Sequence, residues 1–209
     1  MNINEIYEQD IANFSLRAAK RLGHLFKGKD LDTVRALFEA KMRVGGRYKI
    51  DPVLPDELAD RDIEVKAHHH RDTNEITFTS MENALDPRAR AHEMAHRVCV
   101  GYGSCMGTAF NEGVMQLFVS IFSGITQDGH YKTETIIADE FNQKMGNDIV
   151  LEGALFDPAI FARGLNARTG DITSYTRLIE AVEEKNPVDV ITIMNSLPDS
   201  SKGLSFANL

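Results

Sequence analysis

Cysteine is scarce in this chain, which contains only Cys99 and Cys105 among 209 residues. Two cysteines cannot supply a disulfide framework for a chain of this length, so a disulfide-stapled fold is excluded. We expect two thiols in a reducing compartment and therefore predict a cytoplasmic protein. The first residues show neither the basic region nor the apolar core of a signal peptide, so export by another route is the alternative.

Long apolar runs and an excess of positive charge are also missing. No segment approaches the roughly 20 consecutive apolar residues that cross a bilayer. The chain carries 31 acidic side chains against 23 basic ones, for a formal net charge of -8, and has no block rich in Lys and Arg. Nucleic acids attract proteins through clustered basic side chains. We therefore expect neither a membrane nor a nucleic acid as partner, and the oligomeric state stays open.

The first fifty residues have the apolar spacing of helices. Apolar residues recur at steps of three and four from Ile3 to Leu22, which predicts one long helix. A second helix is predicted to begin near Asp30 or Asp32 and to end at Gly45-Gly46, and its apolar residues are Val34, Leu37, Phe38 and Met42. The hydrophobic content of 43% suits a single domain over residues 1–209.

The period changes between residues 60 and 80, after a proline-containing connector at 51–55. Apolar and polar residues alternate from Ile63 to Ala67 and from Glu75 to Ser80, with Arg71-Asp72-Thr73-Asn74 between them, which predicts a β-hairpin. Helical signals return after the hairpin. They predict a pair of helices over residues 86–122 and C-terminal helices over residues 130–197. The predicted fold class is α+β, mostly helical, with one small sheet.

A pattern with metal-binding chemistry stands at His92-Glu93-Met94-Ala95-His96. Its order, H-E-x-x-H, is typical of zinc peptidases. On a helix the two histidines lie on one side, about 6 Å apart, so both imidazoles can reach one tetrahedral ion. Glu93 points about 100° away and is predicted to lie beside the metal as a general base.

A hydrolytic zinc site uses three protein ligands and keeps one position open. The stretch Phe110-Asn111-Glu112-Gly113-Val114 begins a helix whose core stripe leaves Glu112 on another side. The glycine-containing loop 101–108 is long enough to turn this helix back along the first one. His92, His96 and Glu112 are thus the predicted ligands of one zinc ion per chain.

Together these segments resemble the gluzincin superfamily, which includes thermolysin and the zinc aminopeptidases. The resemblance covers residues 86–122, with H-E-x-x-H on one helix and Asn-Glu-Gly opening a later helix. It implies a peptidase that hydrolyses peptide bonds with a zinc-activated water and with Glu93 as the base. The chain departs from larger members in its short length and in the 15 residues between His96 and Glu112.

Two further assignments depend on this resemblance. A second hydrogen-bond donor usually completes the oxyanion site of such enzymes. Among Tyr131, His130 and Tyr175 we favour Tyr131, which lies at the start of a predicted helix. The alternative is that Tyr131 only packs against its neighbours. The strand Glu75–Ser80 stands where gluzincins bind an extended peptide by strand addition. The alternative is an ordinary hairpin that covers the core.

Other metal-binding residue types have simpler interpretations. On a strand, His68 and His70 would share one side, facing outward, and His69 would face inward. We favour an incidental polar strand end over a second metal site for this tract. Cys105 could replace Glu112 as a ligand, but Glu112 has the recognised ligand context. Cys99 is expected to be a small buried residue.

Two functions therefore follow from the sequence. The first is a zinc metallopeptidase acting on a peptide or protein substrate, either as an endopeptidase or as an aminopeptidase. The second is a gluzincin-like metal-binding domain without proteolytic activity that serves as a partner-binding, effector or toxin module. An intact Glu93 favours catalysis, because a purely structural zinc needs no base beside it.

Overall fold

The computed structural model describes residues 2–53, 65–99, 106–125, 131–146 and 148–198. In these ranges helices predominate beside one three-stranded sheet, so the predicted α+β, mostly helical class is confirmed. The chain divides into two compact units, Met1–Val98 with Phe118–Gln127, and Cys99–Leu117 with Asp128–Leu209. The single domain over 1–209 stays a prediction. No helix in the described ranges is both long and apolar enough to cross a membrane.

The first unit begins with the two predicted helices, α1 (Ile3–Leu22) and α2 (Leu31–Arg43). Helix α2 starts where the sequence predicts, because the Asp30 side chain accepts a hydrogen bond from the Thr33 backbone nitrogen at 2.7 Å. Leu37 belongs to this helix as predicted, and 39% of it is exposed. The buried stripe of α2 follows the four-residue spacing of Val34, Phe38 and Met42, and Leu37 lies at its margin.

The sheet consists of β1 (Lys49–Ile50), β2 (Ala67–His69) and β3 (Ile76–Phe78). Strands β2 and β3 pair antiparallel, as predicted for a hairpin, with His68 opposite Thr77. The proposed start of the hairpin at Ile63 lies outside the described residues. Strand β1 pairs parallel to β3, with Lys49 opposite Thr77, and was not predicted because two residues show no alternation.

The strand order β1-β3-β2 corrects one expectation from the sequence. The segment Glu75–Ser80 contains β3, which is paired on both sides and therefore offers no edge for strand addition. The predicted peptide-binding role of that strand is wrong for this reason. Among the described strands, β1 and β2 form the edges of the sheet.

Three helices follow the sheet: the short α3 (Met81–Leu85), then α4 (Pro87–Val98) and α5 (Thr108–Ser123). Asp86 ends α3 and caps α4, because its carboxylate accepts a hydrogen bond from the Arg88 backbone nitrogen at 2.9 Å. Pro87 occupies the first position of α4, where its missing N–H costs nothing. Helices α4 and α5 are the predicted pair within 86–122, and α3 was not predicted.

The second unit contains the predicted C-terminal helices. They are α6 (Lys132–Met145), α7 (Ile149–Leu155), α8 (Pro158–Thr169), α9 (Ser174–Glu183) and α10 (Pro187–Ser196). The ring of Phe161 lies at the centre of their core, with ring centroids of Phe110 and Tyr175 each 5.6 Å away. The N-terminal half of α5 belongs to this core through Phe110.

Candidate metal centre

Helix α4 is held in the first unit by two arginines that lie seven positions apart, about two turns, and therefore on one side of the helix. Near its start, Arg90 Nε donates a hydrogen bond to Asp10 Oδ2 at 2.7 Å. The same carboxylate oxygen accepts a hydrogen bond from the Tyr48 hydroxyl at 2.8 Å. The buried Asp10 carboxylate thus connects the first turns of α4 to α1, which carries Asp10, and to Tyr48, the residue before β1.

Near the end of α4, the buried Arg97 donates three hydrogen bonds to backbone carbonyl oxygens. Its Nη1 reaches Met42 and Gly46, each at 2.9 Å, and its Nε reaches Asn74 at 3.0 Å. Burial lowers the pKa of Arg97, but the group stays far from deprotonation at neutral pH. The guanidinium thus connects α4 to α2 and to the hairpin.

His92 and His96 lie on the side of α4 away from these arginines. Their Nε2 atoms are 3.0 Å apart, and their rings meet edge to face with centroids separated by 4.6 Å. His96 is buried and His92 is half-buried. The ring of His69, from β2, stacks parallel to the His96 ring at 6.3 Å. The hairpin therefore covers one side of the histidine pair.

Glu112, the third predicted ligand, lies on α5. One ligand atom from each of His92, His96 and Glu112 lies within 4.8 Å of the other two. Glu112 is 8% exposed. Six positions further along the same helix, α5 enters the first unit, where the Phe122 ring stacks on Phe14 with centroids 5.7 Å apart.

The donor set of this group fits a zinc ion. Two imidazole nitrogens and one carboxylate oxygen are a standard ligand set for a catalytic zinc, which keeps its fourth position for water. Bonds of about 2.0–2.2 Å place tetrahedral ligand atoms roughly 3.3–3.5 Å apart, so the 3.0 Å between the imidazoles needs only a small adjustment. In the described part of the chain, no second group of three such side chains converges in this way.

Glu93 follows His92 directly and is buried on α4. It is not a member of the converging group. A carboxylate that is next to a predicted ligand in the chain and is not itself a ligand is a residue type that can act as a general base. The role of Glu93 as the base stays a prediction.

Gly113, the residue after Glu112, allows α6 to approach α5 closely. A Cβ atom at this position would lie 2.4 Å from the Glu134 carbonyl oxygen and 2.5 Å from its carbonyl carbon. Any larger residue would therefore push the α6 backbone away from the turn that carries Glu112. This contact explains, within the second unit, why a glycine follows the third predicted ligand.

Asn111 is a buried polar residue to which the sequence assigned no role. It is 2% exposed, and its Nδ2 has no hydrogen-bond partner among the described residues. Such a group is uncommon in a folded protein and points to a ligand or water near it. Its place directly before Glu112 in the Asn-Glu-Gly segment was the only signal in the sequence.

The remaining predicted residues have varied placements. Tyr131 directly precedes α6 and is half-buried, so the predicted helix start is confirmed and its role as oxyanion donor stays a prediction. Tyr175 packs edge to face against Phe161 in the core of the second unit. His130 and Cys105 lie outside the described residues. Cys99 is buried, as expected.

The histidine tract follows the predicted alternation but not the predicted exposure. His69 faces His96 on α4, whereas the rings of His68 and His70 meet each other with centroids 4.2 Å apart. The expectation that His68 is exposed is wrong, since only 8% of it is exposed. Both residues of β1, a strand that the sequence did not predict, line the same cleft as His68 and His70.

The chain was compared with protein-family models, with curated proteins and with solved structures. No family model matches it, and neither of the other two comparisons finds a significant match.

Proposed function

We propose that the chain is a zinc-dependent peptidase of the gluzincin type, with one zinc ion held by His92, His96 and Glu112. The observation that carries this proposal is the convergence of these three ligand atoms to within 4.8 Å of one another. The residues come from two helices that are separated by 15 residues of sequence, so the convergence is not a consequence of local spacing. A buried carboxylate next to the first ligand, Glu93, gives the group the additional member that hydrolysis requires.

In this mechanism the chain's residues bind the metal and move one proton. A zinc ion held by His92, His96 and Glu112 would supply a Lewis acid that lowers the pKa of a coordinated water. Glu93 accepts the proton from the attacking water and then donates it to the leaving amine of the peptide. The buried surroundings of His96 and Glu112 exclude bulk water, which strengthens the electrostatic interactions with the ligands.

The sheet suggests a course for the substrate that differs from the one expected from the sequence. Because β3 is paired on both sides, an extended peptide can add only to β1 or β2 among the described strands. Strand β2 lies beside the metal ligands, since its His69 stacks on His96. We therefore assign substrate strand addition to the outer edge of β2.

The proposal is tested by elemental analysis and by cleavage of a mixed peptide library, with tag-free protein. The variants are His92→Ala, Glu112→Ala and Glu93→Gln, and the control is Glu140→Ala, which changes an exposed glutamate on α6. We expect about one zinc in the wild type, in Glu93→Gln and in the control, and little zinc in the two ligand variants. Only the wild type and the control should cut peptides.

Two other results would replace this proposal. If the wild type and Glu93→Gln both hold zinc and neither cuts any peptide, the chain is a metal-binding domain without proteolytic activity, and a partner-binding or effector role becomes the better proposal. If Glu112→Ala retains its zinc and substitution of the histidine tract removes it, the metal ligands have been assigned to the wrong residues.

A further inference from the structure

His68 and His70 converge on the side of the sheet opposite to His69. Their Nε2 atoms are 2.7 Å apart, although nothing in the strand geometry alone requires the two rings to turn towards each other. His69 points the other way, towards His96. The two outer histidines of the tract are therefore separate from the candidate zinc ligands on α4.

The two rings line an open cleft of about 620 Å³ that is built from residues of the sheet and of the segment after β1. Lys49 and Glu75 in this cleft form an ion pair with each other, so their charges largely cancel. Asp51 adds a further negative charge. The charged side chains of the cleft thus have a net negative charge, which favours a cation over an anion.

The surroundings of His68 favour the neutral form of its imidazole, which is the form that binds a metal. Burial and the neighbouring His70 lower the pKa of His68, while the carboxylate of Asp51 acts in the opposite direction. The ring of His68 is consequently neutral at neutral pH and has a lone pair to donate. The 2.7 Å contact between the two Nε2 atoms allows one hydrogen bond, and the same two nitrogens can instead bind one ion.

We propose that His68 and His70 form a second metal site, which binds a divalent late transition metal such as Cu²⁺ or Ni²⁺ through the two Nε2 atoms. With bonds of about 2.0 Å, two nitrogens stand roughly 2.8 Å apart at the right angle of a tetragonal complex and roughly 3.3 Å apart at a tetrahedral angle. The separation of 2.7 Å is below both values, so either geometry requires a small adjustment, as it does at His92 and His96. Two imidazoles with the remaining positions left to water suit the tetragonal nitrogen and oxygen coordination of Cu²⁺ and Ni²⁺.

The remaining positions of this ion are open to water, because the cleft is open to solvent. The Thr77 hydroxyl, 3.4 Å from His70 Nε2, lies where it can form a hydrogen bond with such a water. The site therefore has two protein ligands and an exchangeable coordination sphere. We expect it to bind Cu²⁺ more tightly than Ni²⁺, following the general order of affinities for divalent metals.

The test is a titration with Cu²⁺ in competition with a chelator, on tag-free full-length protein that has first been given one equivalent of zinc. Electron paramagnetic resonance then reports the number of nitrogen ligands. The variants are His68→Ala and His70→Ala, and His69→Ala is the matched control because it removes one histidine of the same tract from the other side of the strand. Since the loss of an outer-shell partner already weakens metal affinity by roughly 10- to 100-fold, we expect at least about a 100-fold loss when a ligand is removed.

The wild type and His69→Ala should show two nitrogen ligands and similar affinities, and His92→Ala should retain the same copper signal. Equal copper affinity in the wild type, His68→Ala and His70→Ala would overturn the proposal. An equal loss of affinity in His69→Ala would also overturn it, because that result indicates non-specific binding to the tract. Loss of the copper signal in His92→Ala would overturn it as well, because that result places copper at the candidate zinc site. Because His68 is buried, circular dichroism checks folding, and the half-buried His70 supplies the milder variant.

Discussion

Replacing Arg97 by methionine tests how α4 is held in place. The variant keeps a long apolar side chain in the buried position and removes the guanidinium, which donates hydrogen bonds to the carbonyls of Met42, Gly46 and Asn74. A hydrogen bond to a charged group contributes about 1.5–3 kcal/mol. The cost of burying the charge offsets part of this sum. We expect Arg97→Met to lower the free energy of unfolding by about 3–5 kcal/mol, a large share of the usual 5–15 kcal/mol.

The measurement is urea unfolding followed by circular dichroism, with a chelator present so that metal binding does not contribute. With a slope of about 2–3 kcal/mol per molar urea, the midpoint should fall by roughly 1–2.5 M. Arg43→Met is the matched control, because the Arg43 guanidinium donates two hydrogen bonds to Glu8 at the surface. Exposed ion pairs contribute at most about 1 kcal/mol, so the control should change little.

A loss below about 1 kcal/mol in Arg97→Met would refute the reasoning. It would mean that the desolvation of the guanidinium cancels its three hydrogen bonds and that apolar packing alone positions α4. Zinc affinity gives a second readout, because His96 is the neighbour of Arg97 on the same helix. If α4 depends on this arginine, zinc binding should weaken in the variant and stay unchanged in Arg43→Met.

Three further predictions follow from the described contacts. Gly113→Ala should destabilise the protein by about 1–3 kcal/mol and weaken zinc binding, because the added Cβ would lie 2.4 Å from the Glu134 carbonyl oxygen. Thermal melts measure this loss. Gly23→Ala is the neutral control, because a Cβ at that position would have nothing within 4 Å. Asp30→Ala should lower the melting temperature, and Asp30→Asn should lower it less because asparagine also caps helices. The hydrogen bond from the Thr33 backbone nitrogen lowers the pKa of the Asp30 carboxyl in the folded protein. The stabilisation by this cap is therefore fully present above the pKa of the unfolded chain and is lost as the pH falls through the lower folded pKa. Below that pH, wild type and Asp30→Asn should no longer differ in melting temperature. Removing zinc with a chelator should lower the melting temperature of the wild type but not that of His92→Ala, and an equal shift in both would contradict the site.

Local sequence signals were sufficient for most of the secondary structure. The apolar period of α1, the cap at Asp30 and the start of α4 after Asp86 agree with the structure, since each depends on residues within a turn or two. The two-residue strand β1 could not be predicted, because its hydrogen bonds depend on β3, which follows 26 residues later in the chain. That pairing also decided which strands are edges, and it reversed the expectation for Glu75–Ser80.

For the candidate site, the sequence by itself determined the residue types and their local spacing. His92 and His96 share one side of α4 because a helix turns every 3.6 residues, and Glu93 follows between them. Only the tertiary structure decided that Glu112 lies within 4.8 Å of both histidines, that His68 is buried, and that His68 and His70 turn towards each other. Such placements depend on how distant segments pack, for example on the close approach of Glu134 to Gly113, and no local pattern encodes that distance.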